Sequence, residues 1–299
     1  MFSKRLLLIV NPFSGKTKIR SELLKVIEIF SNADYCVTVY PTKCRGDATA
    51  YVKRLKKGAF DLIVICGGDG TLNEVITGFM QNDIACPLGY IPSGTLNEWS
   101  SGLGISKNIA QAATDITNGQ EITLDIGRFS DRYFSYTASF GAFTSASYSA
   151  PQDVKNVLGQ AAYFFEGIKS LGAIKPIHLK FIYDGKEIEG DYLFGAVSNS
   201  MSVGGIVKFD EATVKLNDGL FEVLLIKNPD NILKLQPLID GILRQELNRE
   251  GMEFFRTDKI TVCGSADVDW TLDGEYAKGS EQIEIANIHN AIKFIVPKK

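Results

Sequence analysis

The stretch Gly67-Gly68-Asp69-Gly70-Thr71 constrains this chain more than any other. An apolar run from Asp61 to Cys66 leads into it, and apolar residues recur after it at 72, 75, 76, 79 and 80. That order predicts a buried strand, a tight turn and an amphipathic helix. Together they make a cradle for a phosphate-like anion, because glycine lets the backbone approach a ligand and the helix N-terminus adds free N–H groups and a positive dipole end. Asp69 would repel a bare phosphate, so a divalent cation or a bound hydroxyl is expected beside it.

The surrounding pattern repeats this unit. Strand-like runs at Arg5 to Val10, Tyr35 to Tyr40, Asp61 to Cys66 and Leu88 to Ile91 alternate with helical segments starting near Thr17, Gly46, Leu72 and Leu96. Alternation of this kind predicts a parallel sheet covered by helices, with ligands held outside the carboxyl ends of the strands. Each informative loop falls at such an end. In Asn11 to Thr17 the Gly15-Lys16-Thr17 triplet invites comparison with a P-loop, but the required glycine five residues earlier is Val10. Lys16 and Arg20 are four apart and share a helix face near its N-terminus, where cations are either a solvated basic face or the partners of an anion. The pentapeptide from Gly70 to Glu74 returns unchanged from Gly94 to Glu98. Both copies have capping-box spacing, Thr71 with Glu74 and Thr95 with Glu98, which predicts two similar helix N-termini on neighbouring strands.

After about residue 127 the pattern changes. His178 to Tyr183 and Lys186 to Tyr192 flank Asp184-Gly185, a strong hairpin signal, and further strands are expected at Leu193 to Ser198, Phe221 to Ile226, Lys259 to Val262 and Glu281 to Ile285. Helical stretches are expected at Val154 to Leu171 and Asn231 to Glu246. This gives an α/β domain over 1–127 and a mostly antiparallel, β-rich domain over 128–286, packed around a cleft. With 299 residues, 45% of them hydrophobic, the chain has enough material for two such cores.

Composition removes several classes of function. A net charge of −3 gives no general basic field, so nucleic acid is not an expected partner. Cys36, Cys44, Cys66, Cys86 and Cys263 are scattered, without CxxC spacing, as expected of reduced thiols in a cytosolic protein without a structural zinc. No apolar run is long enough to span a bilayer. Sheet edges in either domain offer surfaces for a homo-oligomer.

The ordered motif set resembles the catalytic domain of the diacylglycerol kinase family, particularly the soluble bacterial lipid kinases related to sphingosine and ceramide kinases. The carrying residues are Asn11-Pro12 with Ser14-Gly15, Thr42 with Gly46-Asp47-Ala48, Gly67 to Thr71, Pro92 with Gly94-Thr95 and Asn97, Asp218-Gly219, and Asp273-Gly274-Glu275. The resemblance implies an α/β nucleotide-binding domain with an NAD-kinase- and diacylglycerol-kinase-like parallel sheet, completed by residues 287–299, with Ala291 to Val296 as a returning strand. It implies a second, sandwich-like all-β domain with added helices for the lipid. ATP would be the phosphoryl donor, Mg²⁺ the metal and a lipid alcohol of the diacylglycerol type the acceptor, reached by peripheral contact at the cytoplasmic face of the inner membrane.

The family pattern also implies residue roles. Asn11, Ser14, Gly15, Lys16, Arg20, Thr42, Gly67, Gly68, Gly70, Thr71, Gly94, Thr95 and Asn97 fall on the nucleotide side. Asp69 belongs to the nucleotide and magnesium site, Asp125 and Glu98 to an acidic network around the metal, and Asp218 with Leu220 to a structural metal loop. Asp69, Asp273 and Glu275 are the catalytic set, with Glu275 as the base that takes the lipid hydroxyl proton. Glu98 departs from the pattern, since the bacterial kinases usually carry aspartate there, one methylene shorter. It is either a member of the metal network or chiefly a cap. Phosphoryl transfer needs backbone donors, a cation, a metal-holding carboxylate and a group that orients the hydroxyl, and the motifs supply each.

Three rival readings stay in view. NAD kinases share Gly67 to Thr71 but resemble a different following motif, absent after Ile91. Phosphofructokinase-type sugar-phosphate kinases share the glycine turn but lack the Asn11-Pro12 and Gly94 to Asn97 patterns. A lipid- or nucleotide-binding regulator with weakened catalysis has Glu98 as its support and the intact Asp69 and Glu275 against it.

Overall fold

The computed structural model describes residues 3–15, 18–94, 97–141, 176–200, 202–203, 207–208, 214–229, 235–247 and 249–298. The chain divides into two compact units, Met1–Ile126 with Asn290–Lys299, and Gly127–His289.

The first unit runs β1 (Lys4–Val10), α1 (Lys18–Asn32), β2 (Tyr35–Pro41), α2 (Asp47–Val52), β3 (Leu62–Gly67), α3 (Asp69–Met80), β4 (Leu88–Pro92), α4 (Glu98–Gly102), α5 (Ile109–Asn118) and the start of β5 (Gln120–Phe129). β2, β1, β3 and β4 lie side by side as a parallel sheet, with Val10 opposite Pro41 and Cys66, and Gly67 opposite Pro92. The shared register brings the loops after all four strands to one edge. β3 and β4 are buried along their whole length, as expected of central strands covered on both faces. β2 at the sheet margin alternates partly buried and exposed residues along most of its length.

The second unit contains β6 (Arg132–Phe134), β7 (Thr137–Gly141), β8 (Ile177–Tyr183), β9 (Lys186–Ser198), β10 (Ser202–Val203), β11 (Val207–Lys208), β12 (Phe221–Lys227), β13 (Met252–Thr257), β14 (Lys259–Cys263), β15 (Asp269–Leu272), β16 (Glu275–Lys278) and the first part of β17 (Gln282–Val296). Its described ladders are antiparallel: β9 pairs with β7, β8 and β12, β12 with β13, β14 with β8 and β17, and β15 with β7 and β16. The hairpin expected at Asp184-Gly185 is present. Both residues have positive φ, 47° and 71°, as a two-residue turn between right-twisted strands requires. The core is aromatic, with Phe134 stacked on Phe221 and Phe140 against both Phe181 and Trp270.

Several expected boundaries shift. The separate strands at Lys186 to Tyr192 and Leu193 to Ser198 are one strand, β9, whose first half faces solvent on alternate residues and whose second half is buried throughout. The change of burial along one strand reads in sequence as two strands. Glu281 to Ile285 and Ala291 to Val296 likewise belong to one long strand, β17, whose end adds Phe294 parallel to Leu88 of β4. The helix expected from Asn231 to Glu246 is described at Leu235–Leu243, and Val154 to Leu171 lies outside the described residues.

Candidate active site

At the carboxyl edge of the first unit's sheet, three loops interlock through contacts that only small residues allow. Gly15 has φ 54°, and a Cβ there would lie 1.8 Å from the Ser93 carbonyl oxygen. A Cβ on Gly94 would lie 2.6 Å from Gly68 Cα, so these two backbones touch. Polar bonds follow the same seams. Asn11 Nδ2 donates to Thr71 Oγ1 at 3.0 Å, Ser14 Oγ and Ser93 Oγ lie 2.6 Å apart, and Ser93 N donates to the Gly67 carbonyl at 2.8 Å.

Beneath these loops sits buried Tyr90, its hydroxyl 3.2 Å from the Gly67 carbonyl and 3.3 Å from Asn97 Oδ1. Burial first, and the charge of Asp69 second, hold this phenol far above its ordinary titration range. Burial also pushes the Cys66 thiol up to about 12. Both groups therefore stay neutral.

Asp69 opens α3, with Gly70 and Thr71 in the same first turn. The residue before it, Gly68, is extended at φ −89° and contributes no side-chain bond to the helix start. α5 differs, since Asn108 caps it by accepting from Gln111 N at 3.0 Å. α2 is held by Glu74, which accepts from Gly46 N at 2.7 Å and Ala48 N at 3.2 Å. The capping box expected from Thr71 and Glu74 is therefore corrected. Glu74 reaches across to a different helix, and Thr71 faces Asn11. The two pentapeptides differ in backbone too. Asn97 is left-handed, at φ 49° and ψ 51°, and its side chain folds back, accepting from Gly94 N at 2.9 Å and donating to Gly94 O at 2.8 Å. Asn97 thus shapes the Gly94 turn from a buried position.

The remaining expected residues are placed as follows. Thr42 is buried and its N–H donates to the Val10 carbonyl at 2.9 Å, which ties the second loop to the first. Arg20 is exposed, with Nε donating to the Pro12 carbonyl at 3.3 Å and its guanidinium 5.7 Å from the centre of the Phe13 ring. Asp125 is fully buried and accepts from Asn290 N at 2.7 Å. Lys16 and Thr95 lie outside the described residues, and of Glu98 only the backbone is described, opening α4.

In the second unit, Asp273 and Gly274 form a two-residue turn with φ 50° and 80°, and Leu272 pairs with Glu275 across it. The Asp273 carboxylate is enclosed. It accepts from Ser135 N at 2.6 Å, Ser135 Oγ at 2.7 Å, Tyr136 N at 2.9 Å and Thr137 N at 3.1 Å. Burial raises its pKa against the pull of those four donors. With backbone N–H groups and the Ser135 hydroxyl bonded to it, the Asp273 carboxylate anchors the turn that presents Glu275. Glu275 itself is partly exposed at the start of β16.

Asp218 accepts from Leu220 N at 3.1 Å and forms an ion pair with Arg256, whose Nε also bonds Glu222 at 3.1 Å. Burial pushes Glu222 up to about 7. The carboxylate expected to hold a structural metal is here ion-paired with a guanidinium. Among the described residues, no three His, Cys, Asp or Glu side chains gather into a metal cage. Four residues of these sites gave no motif signal: Tyr90, Ser93, Arg256 and Ser135. Tyr90 alone left a trace, as a lone phenol in a buried strand, since its hydroxyl must find a partner.

Comparison with known proteins agrees with this geometry. Residues 5–129 match the family model described as the diacylglycerol kinase catalytic domain. The chain is 33% identical over 297 residues to a diacylglycerol kinase of Bacillus subtilis (strain 168), covering 99% of this chain and 97% of that protein. It is 31% identical over 295 residues to one from Staphylococcus aureus (strain bovine RF122 / ET3-1), covering 98% and 93%. A crystal structure of a diacylglycerol kinase from Bacillus anthracis str. Sterne superposes with a TM-score of 0.79 at 25% identity, over 98% of this chain and 97% of that one. With a third of its residues shared over nearly its whole length, and with the interlocked loops in place, this chain belongs to the diacylglycerol kinase family of lipid kinases.

Proposed function

We propose that the protein transfers the γ-phosphoryl group of ATP to the hydroxyl of a diacylglycerol-type lipid. The observation that carries this reading is the start of α3. It is a 12-residue helix entered through Gly68, with Asp69 as its first residue, and it opens at the sheet edge where the glycine loops meet. The first-turn N–H groups and positive dipole end of such a helix favour an anion, and the glycines before it let the ligand come close.

The first unit, read as the nucleotide domain, binds the phosphates at Gly67 to Thr71 and Gly94 to Asn97, with Lys16 and Arg20 adding positive charge. Asp69 is the carboxylate suited to Mg²⁺. This ion keeps most of its waters and takes only one or two carboxylates plus substrate phosphates. When bound, Mg²⁺ supplies neutralisation of charge on the phosphates. Buried Asp125, and Glu98 by sequence, complete the acidic set around it. The second unit, read as a sandwich-like lipid domain, presents Glu275 on a turn fixed by Asp273. Glu275 takes the proton as the lipid oxygen bonds to the γ-phosphorus, the bond to the bridging oxygen breaks and ADP departs. Among the described residues no helix is long and apolar enough to cross a membrane, and the proposed setting is peripheral contact at the cytoplasmic membrane face.

The test is incubation with γ-labelled ATP, Mg²⁺ and mixed micelles of diacylglycerol, monoacylglycerol, ceramide or sphingosine. Label is expected in the diacylglycerol product above the other three. Label on none of the four lipids, with ATP still bound, would overturn the reading.

A further inference from the structure

Glu74 was expected to cap its own helix, and it does something else. From the second turn of α3 it crosses to the start of α2, where its two carboxylate oxygens take the N–H groups of Gly46, the last residue of the preceding loop, and Ala48 at 2.7 and 3.2 Å. The Glu74 carbonyl also accepts from Thr49 Oγ1 at 2.8 Å. Gly46, at φ 82°, has the left-handed backbone that points its N–H at this acceptor. α2 and α3 can approach this closely because a Cβ on Gly78 would lie 2.8 Å from the Thr49 carbonyl oxygen.

The loop held in this way runs from Thr42 to Gly46, and it sits at the same sheet edge as the phosphate turns. Thr42 N bonds the end of β1 through the Val10 carbonyl. Its other tether is internal, with Asp47 accepting from Lys43 N at 2.8 Å and from the Tyr40 hydroxyl at 2.9 Å. Glu74 is thus a rigid strut, a few residues after Asp69 on one helix, between the Asp69 turn and the Thr42 loop. We infer that Glu74 is a positioning residue for the nucleotide: it fixes the Thr42 loop relative to the Asp69 turn and touches no reacting atom. This rests on the reading of the first unit as the ATP domain.

The molecule contains its own control. At the far end of the same helix pair, Asn82 Nδ2 donates to the carbonyls of Val52 and Leu55, each at 2.9 Å. Asn82→Ala therefore loosens α2 from α3 without touching the Thr42 loop. Steady-state kinetics of Glu74→Gln, Asn82→Ala and the unaltered enzyme separate the two effects. Glu74→Gln keeps the shape but places an NH₂ against a backbone N–H, and is expected to raise KM for ATP about tenfold, with kcat within twofold and KM for the lipid unchanged. Asn82→Ala is expected to lower the unfolding midpoint while leaving KM for ATP as it was. An unchanged KM for ATP in Glu74→Gln would overturn the inference, as would an equal rise in Asn82→Ala, which would reduce Glu74 to a helix staple. If Glu74→Gln fails to fold, amide exchange in the unaltered enzyme decides. ATP is expected to slow exchange across residues 42–48, and no protection there, with protection at the α3 start, overturns the inference alone. An enzyme that shows no saturation by ATP at all overturns the reading beneath it, and the inference with it.

Discussion

Gly70 to Glu74 and Gly94 to Glu98 are the same five residues in the same kind of place, after a central strand of one parallel sheet, yet they fold differently. The first lies wholly inside α3, and its glutamate reaches out to another loop. The second has its asparagine in the left-handed region, reaches a five-residue helix only with its last residue, and turns its amide back on its own glycine. What differs is the residue before each pentapeptide and the loop across from it. Asp69 starts a helix with its charge near the dipole's positive end, whereas Ser93 bonds sideways to Ser14. A local code for a helix start is thus overruled by the contacts of one residue on either side. The division also separates tasks: one turn offers donors and a carboxylate, and the other closes the wall behind them.

The largest expected effect comes from making the first turn like the second. Asp69→Ser places there the residue that precedes the other pentapeptide, and removes the only carboxylate of the turn. Turnover is expected to fall by a factor of about 10³ or more, with the unfolding midpoint nearly unmoved in a thermal melt. Near-normal turnover would mean that the two turns do not differ in chemistry. Next, Gly94→Ala drives a Cβ to 2.6 Å from Gly68 Cα and 2.7 Å from Asn97 Oδ1. Urea unfolding is expected to show a loss of about 2 kcal/mol, in the range for overpacked sites, with weaker ATP binding. Loss of ATP binding without loss of stability would show that the wall is not braced as described.

A smaller effect separates backbone from side chain at Asn97. Both Asn97→Ala and Asn97→Gly remove the bonds to Gly94, but only alanine pays for the left-handed backbone, so glycine is expected to be the more stable by about 1 kcal/mol. Equal stabilities in urea unfolding would remove the argument from φ. The smallest effect is on reactivity. Cys66 Sγ lies 4.0 Å from Ser93 Oγ beneath the second turn, and its thiol, pushed up to about 12, forms almost no thiolate at pH 8. A thiolate-specific reagent at that pH is expected to modify exposed Cys36 and Cys44 first, with Cys66 last and slower still as pH falls. Early modification of Cys66 would show that the turn opens.

Much of the first unit is legible from sequence for a local reason. Each strand of its sheet is a short apolar run, and each run ends in glycine, proline or asparagine, so strand ends and loops mark themselves. The second unit is less so. β9 changes from half-exposed to wholly buried midway, and no local pattern reports that β7 and β12 cover only its second half. The motif residues Asn11, Thr71, Gly94 and Asn97 are visible by spacing, but their roles come from partners far along the chain. Asn11 bonds Thr71, 60 residues on, and Asp273 is wrapped by residues 135–137. A carboxylate in a short turn reads as open chemistry in sequence. Burial and four donors show Asp273 to be the anchor of its turn as well.

The claim that the unlike twin turns together hold the nucleotide phosphates is tested most directly by amide hydrogen exchange with and without Mg²⁺ and a non-hydrolysable ATP analogue. Protection is expected to appear together at residues 67–71 and 93–97 and to be lost at both in Asp69→Ser. Protection confined to the second unit, or unchanged exchange at both turns with the analogue bound, would contradict it.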